Sequence, residues 1–249
     1  LTLCVSFFVG CGVNTTVDDT TGNGGKILQL ATSIFPATLD PHEFSSIAEY
    51  TFVNNIYEPL VYVKDDGNVV NLLSESYKVS KDGLEYTFHL RSSVKFQNGE
   101  VMTADDVVYS IERAVADPYM ATYVASIAGV EKVDESTVKV TLTGPNVAFL
   151  RMAKYIFILN EKFCTENESL ISVACGTGPY MLADYQDGVS LTVNAFADYW
   201  GGAADKIVGA VYNYIPDNAA CTMAFEGGDL DYIYVNPADW PRISENTAY

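Results

Sequence analysis

Positive charge is what this sequence has least of: 14 Lys and Arg stand against 32 Asp and Glu, a formal net charge of −18. A nucleic-acid partner needs clustered basic residues to neutralise phosphates, so that class is excluded. Adsorption onto anionic lipid is disfavoured for the same reason. Histidine is nearly missing, with only His42 and His89, and the five cysteines contain no CxxC pair, so there is no recognisable zinc-ligand set. No Ser-His-Asp or Cys-His arrangement of usable spacing occurs. The chain is therefore read as a non-enzyme without cofactor or metal. The turn Gly176-Thr177-Gly178 lacks the Gly-Lys-Ser/Thr ending of a phosphate loop. The apolar run over residues 1–10 is too short to span a bilayer, which needs about 20 residues. No internal repeat is visible.

What is present describes a folded chain. Apolar residues make up 49% and charged residues 18%, and 249 residues suit one large or two modest domains. Residues 1–10 are uncharged and end in small residues immediately before Cys11. That pattern is the tail of an export signal, and it resembles a bacterial lipobox. Cys11 would then become the lipidated N-terminus, with residues 14–25 as a polar tether. Leu1 stands where a Met would open a chain, and the helix entry at Asp239 and Pro241 runs only to Tyr249. Both ends are expected to be truncated. With Cys4 in the signal, Cys164, Cys175 and Cys221 remain. Cys164–Cys175 is the preferred disulfide, and three free thiols are the alternative.

Along the chain, residues 27–31 have a strand-like pattern, and helical spacing begins at Ser45, with Ile47, Tyr50, Phe52, Val53 and Ile56 on one face. Pro59 is expected to end that helix, before a strand at residues 60–63. Ser80-Lys81-Asp82-Gly83 joins two strands as a hairpin. Thr103 and Asp106 form a capping box for a helix whose buried stripe is Val107, Val108, Ile111 and Ala114 or Val115. Two alternating segments over residues 129–143 place Val138, Val140 and Leu142 on one face, and residues 149–159 read as buried. Strands follow at residues 180–185, 190–194 and 208–215, a helix at 218–225, and a strand at 231–235. Strands and helices mix without regular βαβ alternation, which predicts a multi-lobed mixed α/β (α+β) fold. Gly67, Gly83, Gly99 and Gly178 are expected at positive-φ positions. Tyr180 and Trp200 are expected to stabilise by burial, and the Tyr199-Trp200 pair to pack rather than touch ligand. His42 reads as a hydrogen-bonded turn residue, and Asp229 and Asp231 as structural turn carboxylates.

The order of short segments carries more than any one of them. Leu39-Asp40-Pro41-His42 is followed by Tyr57-Glu58-Pro59-Leu60, then by Ser80-Lys81-Asp82-Gly83 with Tyr86-Thr87-Phe88-His89-Leu90-Arg91. Phe96-Gln97-Asn98-Gly99, Thr103-Ala104-Asp105-Asp106, Gly176-Thr177-Gly178-Pro179-Tyr180, Tyr199-Trp200 and Gly228-Asp229-Leu230-Asp231 come after. Over residues 27–231 this series resembles the extracellular solute-binding proteins of peptide ABC transporters, the oligopeptide- and dipeptide-binding family. The resemblance implies a periplasmic-binding-protein-like two-lobed clamp, of which this chain holds only the first lobe and an inserted extra domain. By that analogy residues 1–10 are a signal remnant, 11–25 a lipoprotein linker, 26–43 and 176–249 the first lobe, and 44–175 the insert.

The resemblance also implies a function and a site. The chain would belong to a monomeric, exported lipoprotein, anchored at Cys11 on the outer face of the bacterial membrane or periplasmic. It would capture short peptides and deliver them to ABC permease subunits. Residues lining the cleft map to Ser45, Ser46 and Ile47 after the Asp-Pro-His segment, to Tyr123, and to Tyr234, Val235 and Asn236 after Gly-Asp-Leu-Asp. Peptide capture by exposed main chain would give affinity without side-chain selectivity. Some peptide binders carry an acidic residue where this chain has Ser45. A nickel chelate, haem or an oligosaccharide stays open as the solute, and so does a sensing role.

Overall fold

The computed structural model describes residues 25–44, 46–167 and 169–245. Cys11, the tether and Ser45 lie outside them. Two four-stranded sheets organise these residues. The first takes β1 (Lys26–Thr32) from one end of the chain and β8 (Tyr180–Gln186), β9 (Ser190–Ala195) and β10 (Ile207–Tyr214) from the other, in the order β1-β10-β9-β8. β1 runs parallel to β10, while β9 pairs antiparallel with both of its neighbours. The second sheet, in the order β4-β5-β7-β6, is antiparallel and built from β4 (Ser74–Val79), β5 (Glu85–Leu90), β6 (Ile127–Asp134) and β7 (Thr137–Leu142). A small pair, β2 (Val61–Val63) and β3 (Val69–Asn71), precedes it. The fold is mixed α/β without regular βαβ alternation, as the segment order predicts.

Local chemistry sets the helix ends. α1 (Ile47–Ile56) starts at Ser46, whose hydroxyl accepts the Glu49 N–H while the Glu49 carboxylate accepts the Ser46 N–H. It ends at Ile56, with Tyr57 already extended, so the chain leaves the helix before Pro59 is reached. α2 (Ala104–Ala116) carries the expected capping box between Thr103 and Asp106. Val107, Ile111 and Ala114 are buried against β6 and β7, whereas Val115 is exposed. A 3₁₀ turn (Pro118–Met120) and α3 (Ala121–Val124) follow, then α4 (Phe149–Ala153) and α5 (Glu161–Glu166). α6 (Asn218–Glu226) and α7 (Trp240–Ser244) close the described chain.

Two large cores result, joined by one extended segment, and a third, small cluster holds Cys221, Leu230 and Ile233. Ile111, Phe88, Val138, Val140 and Phe149 pack between α2 and the second sheet. Leu39, Phe52, Val53, Ile56, Leu191 and Val193 pack between α1 and the first. Residues 156–159 serve both: Ile156 and Ile158 enter the former core, Phe157 and Leu159 the latter. An extended chain turns alternate side chains to opposite sides, so four apolar residues in a row fit one strand-like segment buried on both faces.

A second junction is polar. The buried Glu58 carboxylate accepts hydrogen bonds from Thr177 Oγ1 (3.0 Å), Tyr199 Oη (2.7 Å) and Trp200 Nε1 (2.7 Å). Burial raises the Glu58 pKa despite these donors. Tyr180 and Trp200 are half-buried, not buried. Each acts partly through its polar tip, Tyr180 Oη donating to Ile207 O at 3.0 Å and Trp200 Nε1 to Glu58, while the Arg91 guanidinium lies 4.6 Å over the Trp200 ring. The Gln97 amide reaches three carbonyls, of Ile56, Gly178 and Tyr180, and its oxygen accepts the Gly176 N–H.

Several expectations change. Gly67, Gly83 and Gly99 have positive φ, but Gly178 does not. Its requirement is space, because a Cβ there would stand 2.6 Å from Asn55 O. Residues 231–235 form no strand and make a single bridge, Leu30 to Tyr232. The Asp231 carboxylate takes the Gln29 N–H (2.7 Å) and the Lys26 ammonium, so a side chain occupies a donor that a ladder would use. The turn-carboxylate reading of Asp231 stands. Cys164, Cys175 and Cys221 are free thiols, so the preferred Cys164–Cys175 disulfide is not formed; Cys175 packs in the second sheet's core and Cys164 against the first's. His42 is a buried turn residue, its Nε2–H donating to Phe157 O at 3.0 Å.

Candidate ligand-binding site

Four aromatic rings meet where α1 begins, where α3 runs and where α4 has just ended. Phe44 lies 5.7 Å from Tyr50, 6.2 Å from Tyr123 and 6.5 Å from Tyr155 between ring centroids. Tyr123 and Tyr155 are 4.6 Å apart, and Tyr50 and Tyr155 5.4 Å. These rings, with Ser46, Tyr119 and Thr122, line an open recess of about 580 Å³.

The sequence explains why those side chains face it. Asp117 caps the 3₁₀ turn through the Tyr119 N–H, and Pro118 starts that turn. Met120 and Val124, four residues apart, are buried. Tyr119 and Tyr123, also four apart and one position back, occupy the neighbouring face and reach the recess. Ser46 is held by Glu49, whose other oxygen accepts the Ala37 N–H at 3.1 Å, so the approach to α1 is fixed from both sides. Tyr155 precedes the doubly buried segment 156–159.

The recess has hydroxyls to offer. Those of Tyr50, Tyr123 and Tyr155 have no hydrogen-bond partner among the described residues. Burial and neighbouring phenols push the Tyr50 pKa up to about 12, which keeps it a neutral donor. The site is thus apolar in its walls and polar at a few ring tips, the composition expected of a small-molecule pocket.

Of the residues mapped from sequence, Ser46 and Tyr123 line this recess, and Ile47 is the first residue of α1 beside it. Tyr234, Val235 and Asn236 belong to another region. Val235 lines a recess of about 280 Å³ with Phe225, Tyr232, Ile233, Trp240 and Ile243, and Tyr234 is 88% exposed. Asn236 makes a turn, its Oδ1 accepting the Ala238 N–H at 3.0 Å. Phe44, Tyr50, Tyr119, Thr122 and Tyr155 were not foreseen as site residues. The signal for Tyr155 was a tyrosine following Lys154 inside an otherwise apolar stretch.

Among the described residues no cluster of three or more His, Cys, Asp or Glu could hold a metal ion. No described helix is long and apolar enough to cross a membrane.

Known proteins resemble this one in sequence and in shape. The model of bacterial extracellular solute-binding proteins, family 5 Middle, matches residues 68–249. The glutathione-binding protein GsiB of Salmonella typhi is 30% identical over 206 residues, covering 80% of this chain and 40% of GsiB. The structure of MoaA from A. tumefacien in complex with mannopinic acid is 32% identical, with a TM-score of 0.83 over 89% of this chain and 48% of MoaA. The structure of DppA from Helicobacter pylori in complex with the peptide STSA is 25% identical, with a TM-score of 0.80 over 90% of this chain and 49% of DppA. The chain spans about half the length of these proteins or less.

Proposed function

Because this chain belongs to the bacterial extracellular solute-binding proteins of family 5, we propose that it supplies one wall of the ligand cleft in the binding protein of an ABC importer. That protein captures short peptides outside the membrane and hands them to permease subunits. The observation that carries this reading is the tyrosine-walled recess, with three uncommitted hydroxyls beside Ser46 and the start of α1. The relation to GsiB and DppA supports a peptide as the solute. A second reading, a solute like mannopinic acid, is favoured by the 32% identity to MoaA.

In this proposal residues 26–43 and 176–249 belong to one lobe and residues 44–175 are set into it. The supports are a first sheet shared by β1 and β8–β10, and a second sheet contained in the insert. Ser45, Ser46, Ile47 and Tyr123 are proposed to contact the solute on one side, and Tyr234, Val235 and Asn236 on a separate edge of the same cleft. Cys11 carries the lipid that retains a monomeric, exported protein at the membrane. Mass spectrometry of the membrane-extracted protein is expected to find a diacylglyceryl group on Cys11, and an unmodified N-terminus elsewhere would remove the anchor from the proposal.

Calorimetric titration of the full-length protein with di- to pentapeptides tests the function. We expect binding that weakens about tenfold or more in Tyr123→Ala, since a buried aromatic contact is worth about 1.4 kcal/mol or more. This chain alone should bind far more weakly, because one wall leaves most of a ligand in water. Failure of every peptide, with clear binding of mannopinic acid, would replace the first reading by the second. Peptide binding unchanged by Tyr123→Ala would remove the recess from the site.

A further inference from the structure

Lys154 is a cation held between two tyrosine rings. Its ammonium lies 4.8 Å over the Tyr155 ring and 5.4 Å over the Tyr62 ring. Like Lys64, Lys78, Lys81, Arg91, Arg151 and Lys206, it takes part in no ion pair among the described residues, but it alone of these seven lies over a ring that walls the recess. Tyr155 is itself a wall of the recess, so this half-buried positive charge rests against one of the rings that line it.

The recess complements that charge by omission. Among the described residues no Asp or Glu lines it, although acidic residues outnumber basic ones 32 to 14. Two smaller recesses, of about 310 and 280 Å³, each include acidic residues, Asp40 and Glu43 in one and Asp231 in the other. Glu49, close by in sequence, turns its oxygens to Ser46 and Ala37. What remains is one ammonium and a set of neutral hydroxyl donors around apolar walls. A ligand cation would be repelled there, and a wholly neutral ligand would leave the ammonium without a counter-charge.

We infer that the recess receives a carboxylate of the solute, held by Lys154 and the free tyrosine hydroxyls, with an adjoining apolar or aromatic group of the solute stacked on Tyr123 and Tyr155. This inference rests on the proposed solute-binding site and adds its charge selectivity. A hydrogen bond to a charged partner is stronger than a neutral one, and partial exclusion of water by the rings strengthens it further.

The test compares each peptide of a di- to pentapeptide panel with its C-terminal amide on the full-length protein, by calorimetry. 3-Phenylpropionate and 3-phenylpropionamide serve as minimal probes, followed by NMR of the tyrosine rings. The acids are expected to bind about tenfold or more tighter than the amides. That preference should vanish in Lys154→Met, which keeps the apolar stem, and persist in Lys154→Arg. An equal affinity for acid and amide, or a preference that survives in Lys154→Met, overturns the assignment while leaving solute binding intact. If peptides fail but phenylpropionate is still preferred through Lys154, the peptide reading falls and the carboxylate site stands.

Discussion

Gly176→Ala is expected to destabilise the protein by at least about 3 kcal/mol, because nothing around that Cβ can yield cheaply. The added carbon would stand 2.0 Å from Ile56 O and 2.7 Å from Ile56 C, both backbone atoms, and 2.8 Å from the Tyr57 ring. Moving residue 176 away would break its two hydrogen bonds with Gln97 and disturb Thr177, a donor to Glu58. Gly99→Ala is the informative contrast. That glycine has φ +88° and open space around it, so only backbone strain of about 1–2 kcal/mol is expected. Denaturant unfolding of both variants measures the difference. A loss at Gly176 no greater than at Gly99 would show that the loops part easily and that the close approach contributes little.

The second large effect concerns acid. His42 is completely buried and its imidazole pKa is lowered from 6.5 to about 4, chiefly by burial and then by Arg113. Asp40, which binds Arg113 through both oxygens, Asp117 and the hydrogen bond to Phe157 O act the other way. Unfolding releases the imidazole to its ordinary value, so the unfolded chain takes up a proton that the folded one refuses. The stability this neutral histidine confers is fully present above pH 6.5 and is lost as pH falls towards 4, about 3 kcal/mol in all. The check is the pH dependence of unfolding free energy for the parent and His42→Gln, which removes the titration. The parent should lose stability more steeply over that window. Parallel curves would mean that the protonated imidazole is accommodated in the fold.

Local signals were read well because their physics is local. The Thr103–Asp106 box is made by residues three apart, and the alternation of Val138, Val140 and Leu142 is a property of one strand against one core. Residues 231–235 also alternate suitably, but the Asp231 side chain competes for Gln29, and no period reveals that. Gly178 looked like a turn glycine, whereas its reason is a carbonyl more than a hundred residues earlier in the chain. The site divides in the same way. Ser46 and Tyr123 were legible through the resemblance to a family. Tyr50 and Tyr155 become site residues only when α1 and the segment after α4 are brought together, since a tyrosine in an apolar stretch is otherwise core.

The pairing of β1 with β10 has a consequence for how this protein is made. Gln29 and Asn213, which share a hydrogen bond in that pair of strands, are 184 residues apart. On a ribosome adding about 5–20 residues each second, β1 emerges and then waits roughly 10–40 s for its neighbour to be synthesised. The second sheet needs no such delay, because its strands all lie between Ser74 and Leu142. It can be complete while the first sheet is still a lone strand with open edges. For the export proposed above that order is useful: β1 stays unpaired longest, and a translocation channel can engage the chain before the fold closes.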